Sequence, residues 1–381
     1  MSTRAQRPEL AVLISFSGDG GVERMVLNLL RRFPELGCPT DLLTLKTEGG
    51  HFRAVPDSVR HVPLGTRHAS TSVPALVKYL RRERPRALLA AKDRAGRAAL
   101  LARRLAGVDT RVYVRLGNTL SASLAGAPAL KRWARYAPIR RLYPWADGLI
   151  AVSDGVATDV HETSGVARER IHVVRNPVLT DTIEDLAQET VDHPWLSTER
   201  EEPVILAMGR LTKQKDFPTL LRAFATLQAS RHARLIILGE GPDRDALEEQ
   251  AQQLGLADRI SMPGFQDNPY PWLRQADLFT LSSAWEGSPN ALTEALALGC
   301  PSVSTDCPSG PREILDGGRY GPLVPVGDAE AMAAAMDTSL RAPLPGDTLR
   351  EAVAGYRDMA SASAYLRVMA LRDETTTTPA G

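Results

Sequence analysis

A chain of 381 residues exceeds what one ordinary hydrophobic core organises and suits two domains. With 43% hydrophobic and 24% charged residues its composition is that of a soluble globular protein, and no apolar run approaches the ~18 residues that would span a bilayer. The net charge of +1 hides an asymmetry: residues 1–180 carry 29 Lys and Arg against 15 Asp and Glu, a balance of +14, while residues 181–381 carry 17 against 30, a balance of −13. A basic half of that size implies a negatively charged partner or surface.

Short β-rich apolar runs alternate with amphipathic helical stretches almost from end to end, the pattern of parallel sheets with crossover helices. The opening MSTRAQRPEL leads into a short apolar segment that reads as a first strand rather than a signal peptide. In the first half, strands are expected at residues 10–16, 40–45, 87–90, 110–115, 148–152 and 171–174. After the first of them, SGDGGVERMVLNLL places Gly18, Gly20 and Gly21 in a turn, with a helix from about Val22. Glycines there let backbone amides approach a ligand at a helix start, as dinucleotide sites do. An NAD site would also want an acidic residue closing the second strand, and Asp41 opens it instead, which disfavours a dehydrogenase.

In LKRWARYAPIRRLYPW, Lys131, Arg132, Arg135, Arg140 and Arg141 interleave with Trp133, Tyr136, Tyr143 and Trp145. Such a mixture suits an anionic lipid headgroup layer. The same residues would serve for stacking on nucleic acid, or form a solvated helix whose aromatics face the core. We expect contact with an anionic membrane surface and no nucleic-acid partner.

Residues 176–202 start with Asn176-Pro177, turn polar and acidic, and are broken by Pro194 with Pro203 just beyond, which marks a domain boundary. Beyond it, strands are expected at 204–208, 234–238, 278–281 and 302–305, and a last helical pattern at about 348–371 precedes an unordered TTTTPAG tail. The expected organisation is a Rossmann-like domain over 1–180, a second over 198–345, a C-terminal helix within 346–372 and a disordered tail over 373–381. Ligands then belong at the C-terminal ends of the strands.

Three constellations of the second half carry chemistry. In MGRLTKQKDFPTLLRAF, Arg210 and Lys215 flank a turn at the C-terminal edge of a sheet, a forked and a mobile cation suited to a diphosphate. Their role would be to neutralise charge growing on a leaving group. Asp243 and Asp245 form an Asp-x-Asp triplet, a metal-binding pattern in some glycosyltransferases, but acids opening a helix are explained by its dipole. In WEGSPNALTEALALG, Ser288 as cap and Pro289 as first residue start a helix expected over 289–298, with Gly299 ending it. The amides of Asn290, Ala291 and Leu292, with roughly half a positive charge at the helix end, favour a phosphate. Glu286 precedes that end and Glu294 lies about 9 Å along the axis at 1.5 Å per residue. Carboxylates so placed accept hydrogen bonds from vicinal hydroxyls, which suggests a nucleoside diphosphate sugar, hexose on one side and ribose on the other. Cys38, Cys300 and Cys307 match no zinc spacing and cannot all pair, which suits a reducing cytoplasm. No His-Glu-x-x-His or Gly-x-Ser-x-Gly is present.

In their order, GDGGVE, ADGLIAVSDGVATDV, IHVVRNPV, GRLTKQKD, LGEGPDRDALEEQAQQLGL, WEGSPNALTEALALGCPSV and SGPREIL resemble glycosyltransferase family 4, retaining enzymes of the GT-B fold. The resemblance spans nearly the whole chain and is most specific over 207–326. It implies two Rossmann-like α/β domains facing across a cleft, with the C-terminal helix returning to the N-terminal domain. By that likeness Arg210 and Lys215 hold the donor pyrophosphate, Glu286 the transferred sugar and Glu294 the ribose. Gly20 and Gly21 form an opposing glycine loop, Asn290–Leu292 touch phosphate through backbone, and backbone near Gly264 and Phe265 reads the base. It also implies retention at the anomeric carbon and no metal or other cofactor. Where the family often has a histidine near the sugar, this chain reads YVRLGNTLS, with Arg115 and Asn118 as sugar-side or acceptor-side candidates. The expected activity is transfer of a hexose or N-acetylhexosamine from a nucleotide sugar, a UDP-sugar above all, to a lipid-linked or polysaccharide acceptor of the cell envelope, at the cytoplasmic side. A nucleotide-sugar epimerase on the same scaffold is the alternative, and a binding protein that has lost catalysis a third.

Overall fold

The computed structural model describes residues 7–17, 20–48, 50–66, 68–197 and 200–372. Gly18 of the glycine turn and the expected disordered tail, 373–381, lie outside the described residues. The chain forms two compact units: one runs through Val178 and resumes at Arg357, and the other is Leu179–Tyr356.

In the first unit, β1 (Leu10–Ser17), β2 (Thr40–Glu48), β3 (Arg60–Pro63), β4 (Ala87–Ala90), β5 (Arg111–Leu116), β6 (Gly148–Ala151) and β7 (Ile171–Val173) form a sheet in the order β3-β2-β1-β4-β5-β6-β7. All its neighbours are parallel. Along β1, Ala11 and Leu13 enter one hydrophobic cluster while Leu10, Val12, Ile14 and Phe16 enter the other. Burial on both faces is why this strand reads as an unbroken apolar run. The second unit repeats the design with β8 (Val204–Met208), β9 (Arg234–Leu238), β10 (Ile260–Gly264), β11 (Leu278–Leu281), β12 (Ser302–Thr305) and β13 (Leu323–Val324), ordered β10-β9-β8-β11-β12-β13 and again parallel.

Several expectations need correction. β3, β10 and β13 were not expected, and each lies at a sheet edge, where one side needs no strand partner and no continuous apolar run is required. β3 and β10 also carry Pro63 and Pro263, which edges tolerate. β2 runs on to Glu48, three residues beyond its expected end. Asp41, near its start, is spent on Arg60 of β3 and on the Tyr79 hydroxyl.

The segment 181–197, which falls within the expected boundary 176–202, belongs to the second unit. Asn268 Nδ2 donates to the Leu186 carbonyl at 2.8 Å, and His193 and Ser261 share a 3.0 Å hydrogen bond. The single C-terminal helix is two, Gly346–Glu351 in the second unit and Asp358–Val368 in the first. Gly355 lies in the break, where a glycine costs a helix about 1 kcal/mol relative to alanine. The second of these helices buries Ala362, Tyr365 and Leu366, together with its capping residue Met369, in the cluster shared by β1 and the helix Gly21–Glu35. No helix among the described residues is long and apolar enough to cross a membrane.

Candidate active site

In the second sheet the strand order reverses between β8 and β11, whose parallel C-terminal ends open a crevice where open α/β sheets bind ligands. The loop after β8 carries Arg210 and Lys215. Arg210 is exposed, and among the described residues none accepts a hydrogen bond from its guanidinium. Lys215 folds back, and its Nζ donates to Glu286 Oε1 at 2.6 Å. The Ser283 hydroxyl donates to the same oxygen at 2.7 Å. Glu286, 5% exposed, is thus held as an oriented carboxylate.

The two loops are tied together by backbone as well as charge. Ala284 N–H donates to the Gln214 carbonyl, Gln214 Nε2 to the Trp285 carbonyl at 3.0 Å, and the Ser282 hydroxyl to the Lys215 carbonyl at 2.7 Å. Gln214, Ser282 and Ser283 were not among the expected site residues. Their signal is positional, polar side chains inside GRLTKQKD and directly after the apolar run of β11.

The helix Asn290–Ala297 starts one residue later than expected. Pro289, in extended backbone (φ −71°, ψ 104°), stands at the cap position in place of Ser288, and no side chain caps the turn. Gly299 ends the helix in the left-handed region as expected (φ +74°). Leu292 is fully buried and Glu294 is 3% exposed, with Asn290 and Ala291 half-buried. Behind the helix start, the loop after β12 acts as a buttress. Ser309 (φ +70°) donates its hydroxyl to the Gly287 carbonyl at 3.0 Å, and a Cβ on Gly310 (φ +86°) would stand 2.7 Å from Pro289 Cδ. Gly310→Ala therefore displaces the 287–289 turn and with it the amides of the next residues. We expect about a tenfold rise in the KM for the donor that the sequence leads us to expect, read by steady-state kinetics; an unchanged KM would remove the buttress from the site.

Gly264 ends β10 in a left-handed conformation (φ +88°), with its carbonyl accepting from Gly239 N–H, and Phe265 beside it is 40% exposed. Arg210, Lys215, Gly264, Phe265, Glu286 and the helix start thus gather on the C-terminal edge of one sheet, and the structure brings Lys215 and Glu286 into contact. Asp243 and Asp245 sit at the start of the helix Arg244–Gln253. Among the described residues no three His, Cys, Asp or Glu side chains group as metal ligands.

On the first unit, Gly20 precedes the helix Gly21–Glu35 with an ordinary negative φ of −88°. Asn118 is exposed after β5. Arg115 is 3% exposed and its Nη2 donates to Asn176 Oδ1 at 2.7 Å, a placement that ties β5 to the end of the unit rather than presenting a cation to a substrate. The basic segment forms the helix Ala129–Leu142 and divides along its length. Lys131, Arg132 and Trp133 are exposed, with Leu130 at 75% and Trp133 at 66%. Arg135 pairs with Asp93 at 2.8 Å, Arg140 donates to the Thr163 carbonyl, and Arg141 lies over the Trp145 ring.

Residues 202–342 match the family Glycosyl transferases group 1, and residues 20–177 match the Glycosyl transferase 4-like domain. The chain is 30% identical over 364 residues to the lipopolysaccharide core biosynthesis glycosyltransferase LpsE of Rhizobium meliloti, covering 93% of this chain and 97% of that one. It is 28% identical to the lipopolysaccharide 1,6-galactosyltransferase of Escherichia coli, covering 82% and 83%. The solved structure of HepE from Anabaena in complex with UDP-glucose superposes with a TM-score of 0.69 at 19% identity, covering 95% of this chain and 96% of that one. Two parallel doubly wound units thus coincide with a match along almost the full length, and the chain belongs to the group 1 glycosyltransferases of the GT-B fold.

Proposed function

We propose that this glycosyltransferase moves a hexose or N-acetylhexosamine, with retention, from a UDP-sugar to a lipid-linked or polysaccharide acceptor in cell-envelope glycan synthesis. The observation that carries the reading is the Lys215–Glu286 pair at the β8/β11 crevice, with exposed Arg210 on the same loop. An ammonium has three donors, so Lys215 keeps Glu286 oriented while donating to a phosphate oxygen. Arg210 adds a fork to the departing diphosphate. Glu286, whose Oε1 accepts from Lys215 and Ser283, serves as an acceptor for sugar hydroxyls rather than as a nucleophile. The acceptor oxygen then bonds to the anomeric carbon on the face the phosphate leaves, the carbon–oxygen bond to phosphate breaks, and the acceptor's proton passes to a phosphate oxygen. Side-chain cations supply the positive charge, so the reaction needs no divalent ion. Glu294 holds the ribose, and backbone near Gly264 and Phe265 reads the base. The HepE complex with UDP-glucose and the lipopolysaccharide relatives support donor and acceptor class.

The test is a thermal-shift screen of nucleotides followed by product NMR. UDP and one UDP-sugar raise Tm, the product keeps the donor's anomeric configuration, and EDTA leaves the rate unchanged. An inverted product, or activity lost to EDTA and restored by manganese, overturns the respective part. A new nucleotide sugar formed without acceptor would mark an epimerase.

We further propose that the enzyme works at the cytoplasmic face of the membrane through the exposed end of the helix Ala129–Leu142. Leu130 and Trp133 supply apolar contact and Lys131 and Arg132 the charge, with each cation near an anionic surface worth about 1 kcal/mol. Sedimentation with vesicles containing phosphatidylglycerol is therefore expected to fall about tenfold or more in Lys131→Glu/Arg132→Glu. Equal binding by that variant would place the contact elsewhere.

A further inference from the structure

The first unit holds a second ion pair of the same build at the same topological position. Its strand order reverses between β1 and β4. Glu23, in the first turn of the helix that follows β1, is 5% exposed. Lys92, just after β4, donates its Nζ to Glu23 Oε1 at 2.6 Å and to the Ser15 carbonyl at 3.1 Å. The Lys215–Glu286 contact is also 2.6 Å, and the two carboxylates are almost equally covered, with side-chain exposures of 6% and 7%. The arrangement is exchanged: in the second unit the lysine follows the first central strand and the acid the fourth, whereas in the first unit the acid follows the first and the lysine the fourth. The lysine side chains differ in exposure, 32% for Lys92 against 17% for Lys215. Of the two anchors on Lys92, one is a neutral carbonyl, so its third N–H and its partly exposed face remain for an incoming group.

An isolated buried pair is weak as a stability device, because desolvation cancels most of the attraction. A lysine oriented by a covered acid at a switch point is suited instead to an anionic oxygen ligand. We propose that Lys92, oriented by Glu23 and Ser15, binds a phosphate group of the acceptor. This rests on the transferase reading for the word acceptor, while the binding site itself stands on the geometry.

The experiment titrates the full chain by calorimetry with octyl phosphate and with glucose 6-phosphate, after UDP has been added to saturation to fill the donor crevice. Wild type is expected to bind at least one of the two esters, and Lys92→Met to bind it about tenfold or more weakly. Octyl glucoside, which lacks the anion, is expected to show no difference between the two proteins. Binding of octyl phosphate alone assigns a lipid phosphate, of glucose 6-phosphate alone a glycan phosphate, and of both a site that reads phosphate in either setting. Because Lys92→Met leaves Glu23 covered and unpaired, Glu23→Gln/Lys92→Met serves as the second variant. It keeps the site neutral, and it too is expected to lose the ester while matching wild type in UDP affinity. No ester binding by wild type, or equal binding by both variants, overturns the proposal. Failure of UDP itself to bind would instead count against the donor reading, and the ester titrations would still decide the role of Lys92.

Discussion

Replacing Lys215 with Met is expected to lower kcat/KM for sugar transfer by about 10²–10³-fold, the range seen when one preorganised charge-stabilising donor is removed. It should also destabilise the second unit, because the Glu286 carboxylate, 7% exposed in its side chain, loses the cation 2.6 Å away. Removing one partner of a covered pair costs about 3–5 kcal/mol. Activity and stability therefore fall together in this variant, and a rate measurement alone does not say why. Glu286→Gln separates the two. The amide oxygen still accepts from Ser283 and from Lys215, whose side chain is 17% exposed and so keeps a hydrogen-bond partner; the loss of stability is expected to be smaller than in Lys215→Met, while transfer falls about 10²-fold or more.

The double variant Lys215→Met/Glu286→Gln makes the distinction sharper. With both charges gone no uncompensated carboxylate remains, and stability is expected to return most of the way to wild type. Activity is not expected to return, since neither the leaving diphosphate nor the sugar hydroxyls regain a charged partner. Urea unfolding and steady-state kinetics on the three proteins give the answer. Full activity in either single variant would sink the assigned roles, and a double variant as unstable as Lys215→Met would show that the pair's packing, not its charge, holds the loops.

These residues were legible in the sequence because each site segment is contiguous and follows a strand buried on both faces. β8, β9, β11 and β12 have the bounds expected of them, so the loops after them were placed correctly. Three of the four edge strands escape such reading, β7 being the exception: β13 has two residues and β10 is half exposed. Arg115 shows a different limit. It was expected to end its strand and lies one residue inside the end of β5; sequence does not say which neighbour takes the side chain, and Asn176 is 61 residues away. Glu23 and Lys92 are separated by 69 residues and meet only because β1 and β4 are neighbours. The Ser309–Gly310 buttress lay inside the quoted SGPREIL, where residue types suggest a turn but not what it supports.

Deleting residues 357–381 is expected to unfold the first unit. Tyr365, Leu366 and Met369 are fully buried against β1 and the helix Gly21–Glu35, and Leu371 is 3% exposed. At about 1.5–3 kcal/mol for each large side chain removed from water, their loss approaches the whole stability of a typical domain, about 5–15 kcal/mol. Polar contacts add register rather than bulk. Arg32 pairs with Asp358 at 2.8 Å, the Ser361 hydroxyl donates to the Arg175 carbonyl, and Arg86 and Arg111 both donate to the Ala370 carbonyl. The second unit, Leu179–Tyr356, ends before the deletion and has its own core. Limited proteolysis of the truncated chain should therefore leave a resistant fragment close to 179–356, with the first unit degraded. Leu366→Ala is the milder arm, expected to cost about 2–5 kcal/mol in chemical unfolding. If the truncated protein kept a protease-resistant first unit, the terminal helix would be an addition to a finished fold. The two hydrophobic clusters argue otherwise, because with the helix removed one face of β1 and the buried stripe of Gly21–Glu35 would stand open to water.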